Sequence, residues 1–188
     1  MNKKSTHKRD SLLEAADKLV HLQGFHETTL ADIAAQAGVP LGNLYYYFKT
    51  KEELGSAIIT RRANYYNDLI VEWGRQADPK SKIAAFLDYV EGRREHLSRS
   101  GCPIGSLSQE LHKGDSGFLA KQATAIFTEQ LNWLERQFLA LGCNDASADY
   151  ALHLLSAMQG AALLTNTFGD SRLIQREVAR LREWVTAL

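Results

Sequence analysis

The stretch "ETTLADIAAQAGVPLGNLYYYF", residues 27–48, reads as two short helices joined by a tight turn. Thr28 or Thr29 is a good N-cap, and Asp32 stands three residues after Thr29, an approximate capping box with Asp in place of Glu. Leu30, Ile33, Ala34 and Ala37 make an inner stripe, and Gly38 stops this helix of about 29–37. Pro40 opens the next helix, which runs to about Phe48, because proline's missing N–H would be unpaired in a first turn anyway. Only Gly38 to Pro40 separate the two. Upstream, Leu12, Ala15, Ala16 and Leu19 recur at i, i+3, i+4 and i+7, which predicts a longer helix over 5–23 ended by Gly24. Three such helices describe a helix-turn-helix, although short helical hairpins also occur without nucleic acid.

The wheel of the third helix decides between those uses. Successive residues point about 100° apart, so Tyr45, Tyr46 and Tyr47 cannot share one buried face. Leu41, Leu44 and Phe48 turn toward the first two helices, with Tyr45 at the border. Gly42, Asn43, Tyr46 and Tyr47 turn outward. Exposed aromatic rings are unfavourable unless a partner covers them. A DNA groove suits tyrosine, which offers apolar contact to thymine methyls and a hydroxyl to phosphate. A protein–protein patch is the alternative.

The run "TTLADIAAQAGVPLGNLYYYFKTKEEL", residues 28–54, resembles the DNA-binding signature of the bacterial TetR-type transcriptional regulators. The resemblance is dense over residues 8–62 and looser beyond. It implies that Thr29 caps the second helix and touches phosphate, that Gly42, Asn43 and Tyr46 approach bases, and that Tyr45, Tyr47 and Lys51 grip the backbone. Two departures stand out. Pro40 replaces a frequent Ser, removing side-chain capping of the third helix, and Leu41 replaces a frequent Lys or Arg, removing a guanine or phosphate contact.

The chain has 188 residues, 45% of them apolar, enough for one sizeable core. Its net charge of zero is uneven: residues 1–62 carry nine Lys or Arg against seven Asp or Glu, and the remainder is acidic by two. Lys3, Lys4, Lys8 and Arg9 form a basic arm that either contacts a polyanion or is simply solvated. No apolar stretch follows Lys3 and Lys4 as in a signal peptide, and none reaches the roughly 20 residues of a membrane span. Two cysteines are too few for a disulfide framework or zinc site. A cytoplasmic location is expected.

Beyond residue 50 the patterns predict helices over 51–75, 80–98, about 115–141, 145–168 and 171–187, with another opened by Pro103. The expected fold is therefore all-α: a three-helix DNA-binding domain over 1–50, then an effector-binding and dimerisation bundle of about six helices over 51–188. Ala157, Gly160, Ala161 and Leu164 allow close helix approach, and Ile174, Val178, Leu181 and Val185 continue to Leu188 as a narrow seam. That seam packs either within the chain or in a homodimer. The resemblance favours a homodimer paired through its final helices, matching a pseudo-palindromic double-stranded DNA operator.

In "RSGCPIGSLSQELHK", residues 99–113, Cys102 falls at a helix N-terminus, where unpaired N–H groups favour a thiolate. It is either a candidate sensor of oxidants and electrophiles or a small inert core residue. A similar Gly-Cys-Pro-x-Gly-Ser-Leu stretch occurs in TetR-type regulators that respond to small aromatic or electrophilic compounds. Phe86, Tyr89, Phe118, Phe127, Trp133 and Met158 are candidates to line an effector pocket, with Gln130 or His153 as polar anchors, although each also suits plain core.

No phosphate-binding loop, dinucleotide fingerprint, C-x-x-C or H-E-x-x-H is present. Gly105–Ser106–Leu107–Ser108 stops short of a nucleophile elbow, since Gln109 stands where glycine is needed. The expected function is thus a ligand- or redox-responsive DNA-binding regulator acting as a repressor, with no enzyme activity, cofactor or metal. A helical protein-interaction module is the alternative.

Overall fold

A computed structural model describes residues 3–114 and 117–188, with side chains from residue 8 onward. The side chains of Lys3 and Lys4 in the basic arm lie outside the described residues. Among the described residues the regular elements are all helical: α1 (Lys3–Gln23), α2 (Leu30–Gln36), α3 (Leu41–Tyr47), α4 (Lys51–Trp73), α5 (Pro79–Gly92), α6 (Arg94–Ser100), α7 (Pro103–Lys113), α8 (Gly117–Ala140), α9 (Ser147–Phe168) and α10 (Arg172–Ala187), with a 3₁₀ turn over Asn144–Ala146. Packing gathers the chain into two units, residues 1–64 with 106–124, and residues 65–105 with 125–188.

In the first unit α1 buries Leu12, Ala16 and Val20, at i, i+4 and i+8, while Leu19 is only half-buried. Ala15 is buried too, so three of the four expected stripe residues lie inside, and Leu13 and Val20 widen the stripe. Ile33 and Ala34 of α2, Leu44 of α3, Phe48 just after it, and Leu54 and Ile58 of α4 are also buried. Residues far along the chain join them: Leu111 of α7 and Leu119 of α8. The Glu110 carboxylate accepts from the backbone N–H groups of Phe25 and His26, at 2.8 and 2.6 Å. Those donors enter the loop leading to α2, so α7 supplies partners that the loop lacks locally.

Gly55 of α4 is required by close approach rather than by backbone conformation. A Cβ there would lie 2.8 Å from the Phe25 ring and 3.0 Å from a Leu119 methyl, both on buried residues. Gly55→Ala is expected to destabilise the protein by about 1–3 kcal/mol through overpacking, despite alanine's better helix propensity. Thermal unfolding measures this, and an unchanged or raised midpoint would show that Phe25 moves aside freely.

The core of the second unit is built from Ile83, Phe86 and Leu87 of α5, Trp133, Leu134 and Phe138 of α8, Leu154 and Met158 of α9, and the α10 stripe. One expected helix is two. The helix expected over 80–98 breaks at Arg93, whose φ of −99° and ψ of 8° leave the helical region. Its N–H donates to Val90 O at 3.1 Å and closes α5, and its carbonyl accepts from Leu97 N at 2.9 Å and starts α6. Gly92, a weak helix former, stands immediately before the break. This break makes seven helices of the bundle expected to have about six.

Candidate nucleic-acid interface and effector cavity

The helix-turn-helix is fixed by local hydrogen bonds. Thr29 is the N-cap of α2: its Oγ1 accepts from Asp32 N at 3.1 Å, and Asp32 Oδ2 accepts from Thr29 N at 2.9 Å and Thr29 Oγ1 at 2.6 Å. The capping box is complete with Asp in place of Glu, and those Thr29 donors hold the Asp32 carboxyl below its ordinary range. Gly38 N donates to Ala35 O and Val39 N to Ala34 O, with Gly38 in the left-handed region at a φ of +66°. Pro40 then opens α3 with no side-chain cap.

The two faces of α3 separate sharply. Leu44 and Phe48 are fully buried, whereas Gly42, Asn43, Tyr45 and Tyr46 are exposed, Tyr46 at 70%. Leu41, expected to face inward, is instead 40% exposed, because the first residue of α3 lies beyond the reach of the packed stripe. Tyr47 is half-buried and meets Tyr46 edge to face, with ring centroids 5.0 Å apart. Lys49, which sequence reasoning missed, donates from Nζ to Tyr45 O at 2.8 Å, with its ammonium 5.9 Å from the centre of the Tyr46 ring. It completes a C-terminal carbonyl of α3 and adds a cation beside the tyrosines.

Two other cations are already engaged. Lys51 Nζ donates to His26 O at 2.8 Å and lies over the Phe25 ring, so it ties the start of α4 to the loop before α2. The Arg9 guanidinium stacks 5.0 Å from the centre of the Phe48 ring. Arg9 therefore anchors α1 against the end of α3 as well as carrying charge.

The cavity of the second unit is lined by Tyr66, Phe86, Tyr89, Val90, Arg93, Leu97, Cys102, Pro103, Gln130, Met158, Gln159 and Ala162. The space open to the centre of a water molecule is about 40 Å³, room for a few waters. Four expected pocket residues line it: Phe86, Tyr89, Gln130 and Met158. Four do not. Phe118 is 69% exposed on α8, and Phe127 packs half-buried against the core. Trp133 stacks on Trp73 and Phe86, at 5.4 and 6.4 Å between ring centroids. His153 is exposed and meets the Trp184 ring edge on at 4.9 Å. Periodicity marked these rings as apolar-facing but could not assign which wall faces empty space.

Cys102 Sγ accepts from Gly105 N at 3.4 Å, in the manner of an N-cap for α7, and faces the cavity. Burial above all, and then neighbouring Cys102, push the Tyr66 phenol well above the ordinary tyrosine range. Burial does the same to Tyr89. Both phenols therefore remain protonated at neutral pH.

The last two helices correct one expectation. Ile174, Val178, Leu181 and Val185 of α10 are buried in the chain's own core, so this seam offers no surface to a second copy. Ala161 of α9 is buried with them and Ala157 is half-buried. Gly160 and Leu164 are exposed, alongside Leu163 and Phe168, the latter also at 70%. Among the described residues, no helix is long and apolar enough to cross a membrane.

Residues 12–58 match the profile described as "Bacterial regulatory proteins, tetR family". The chain is 29% identical over 167 residues to the HTH-type transcriptional regulator LmrA of Bacillus subtilis, covering 87% of this chain and 88% of that one. It is 30% identical over 115 residues to the HTH-type transcriptional repressor NemR of Escherichia coli, covering 59% and 58% of the two chains. A TetR transcriptional regulator from Chloroflexus aurantiacus superposes with a TM-score of 0.86 over 98% of this chain and 97% of its own, at 22% identity.

Proposed function

We propose that the chain, which matches the tetR family of bacterial regulatory proteins over residues 12–58 and resembles its regulators beyond them, is a DNA-binding transcriptional regulator and a cytoplasmic repressor. It binds a pseudo-palindromic operator as a homodimer, and a small-molecule or electrophile effector releases it. The observation that carries this reading is the exposed face of α3, where Asn43, Tyr45 and Tyr46 stand on a helix whose other face is fully buried. Such a helix is held rigidly enough to read base edges, and its tyrosine hydroxyls reach phosphate. Residues 1–50 form the DNA-binding domain and 51–188 the effector and dimerisation domain. Thr29, Tyr47 and Lys51 flank the base-reading residues Gly42, Asn43 and Tyr46. Lys49 adds charge on the same side.

Dimerisation uses the exposed side of α9. Gly160, Leu163, Leu164 and Phe168 form an apolar surface, and such surfaces are normally covered. The small residue lets two helices approach closely while the larger ones fill the seam. Twofold pairing then presents two copies of α3 to successive major grooves. An effector in the cavity beside Cys102 shifts the dimer toward a released form, which requires it to bind that form more tightly.

The test is fluorescence anisotropy on the DNA upstream of the protein's own coding region, for wild type and Cys102→Ser, with and without a thiol-reactive electrophile. Release of wild type alone assigns sensing to Cys102. Persistence of both complexes leaves Cys102 structural and the effector reversible, and no binding at any salt concentration overturns the repressor reading. Lys51→Ala is expected to weaken binding evenly across sequences and to reduce the salt dependence by about one unit of slope. An unchanged slope would confine Lys51 to its bond with His26.

A further inference from the structure

We infer that the cavity around Arg93 takes a small organic monocarboxylate with a compact apolar body. This rests on the reading of that cavity as the effector site and adds the chemical class of its occupant. Arg93 reaches the cavity because α5 and α6 break at that residue, which places its side chain beside Tyr89. The guanidinium lies 5.6 Å from the centre of the Tyr89 ring, and no carboxylate pairs with it among the described residues. Its charge is felt nearby: burial first, then Arg93 and Arg99, hold the His96 imidazole below its ordinary range. A half-buried cation beside Phe86, Leu97 and Met158, paired with no carboxylate among the described residues, is the feature that an anionic ligand would complete.

A second observation points the same way. Gln130 is only 4% exposed and lines the cavity, so it brings a side-chain amide to the same space. A ligand oxygen there meets an amide donor. Tyr66 and Tyr89 line the cavity as protonated phenols. The guanidinium fork, the phenols and the amide N–H₂ are all groups that donate to an acceptor.

The same geometry limits the class. A planar guanidinium meets a carboxylate through two parallel hydrogen bonds. One cation balances one negative charge, whereas a phosphate dianion would be buried half-compensated. Phe86, Val90, Leu97, Met158 and Ala162 of the lining offer apolar contact, which suits a ligand whose remainder is largely hydrocarbon. The small free volume keeps it compact.

The experiment is calorimetric titration of the full-length protein with butyrate and benzoate, against butyramide and benzamide as neutral counterparts of the same shape. The carboxylates are expected to bind at least about tenfold more tightly than the amides, the factor for one charged hydrogen-bonded contact. Arg93→Gln is expected to erase that preference, and Arg93→Lys to restore part of it. Gln130→Leu weakens both classes together. Equal binding of acids and amides, a preference that survives Arg93→Gln in a protein with an unchanged circular dichroism spectrum, or no heat from either acid at millimolar concentration would overturn the proposal. Anisotropy with upstream DNA, run on the same samples, separates the two readings. A carboxylate that binds without releasing DNA sustains the ligand class and removes the cavity from the effector role.

Discussion

Tyr46→Ala is expected to lower affinity for the specific operator by about 30-fold or more, because in the proposed dimer each half-site would lose a groove contact of about 1–3 kcal/mol. Thermal stability should barely move. The side chain is largely exposed, and it meets the edge of Tyr47 and lies beside the Lys49 ammonium. Nonspecific binding at low salt should persist, since it depends on cations rather than on this ring. Anisotropy on specific and scrambled duplexes, paired with a melting curve, separates these effects. A fall of many degrees in the midpoint would make Tyr46 a packing residue, and unchanged discrimination would remove it from base readout.

Asp17→Ala is expected to cost about 3 kcal/mol, the largest loss of stability foreseen for a single polar substitution here. The Arg62 guanidinium is almost wholly buried and donates to Asp17 Oδ1 at 2.7 Å, joining α4 to α1. Asp17 is partly solvated, which places the figure at the lower end for a broken buried pair. Removing the carboxylate takes from a buried cation the charged acceptor that lies 2.7 Å away, while the Asp17 carbonyl at 3.4 Å remains. Arg61, 3.7 Å from the other oxygen, is too exposed to matter comparably. Urea unfolding of Asp17→Ala and of the double variant Asp17→Ala/Arg62→Leu provides the test. The double variant should recover much of the loss, because an apolar side chain carries no unpaired charge. A single variant within 1 kcal/mol of wild type would show that water reaches the guanidinium.

How much of this was legible in the sequence depended on how local the cause is. Thr29 and Asp32 declared the start of α2, and Gly38 and Pro40 the turn and restart, because caps and turns involve neighbours in sequence. The break at Arg93 carried no such mark beyond Gly92. The break places Arg93 in a cavity wall assembled from α4, α5, α6, α7, α8 and α9, which no local pattern records. The stripe of Ile174, Val178, Leu181 and Val185 was readable as buried, but periodicity states only that a face is covered. The cover proved to be the chain's own core. Tyr66 and Arg93 were absent from the expected pocket because their spacing reads as ordinary amphipathic helix, whereas Phe86 and Met158 were found as part of a broader apolar set.

The Glu110 carboxylate that closes over Phe25 N and His26 N belongs to a helix more than eighty residues downstream. Phe25 and Gly55 are likewise packed with Leu119. In consequence the reading head is not a cassette that can be cut at its last helix and transplanted. A chimaera exchanging heads between two such regulators must carry residues 106–124 with the N-terminal stretch, or bring a matching acid and leucine from the recipient. If the outward side of α3 reads the operator as proposed, specificity can drift there residue by residue, while wholesale exchange of heads demands co-inheritance of two distant pieces of the gene.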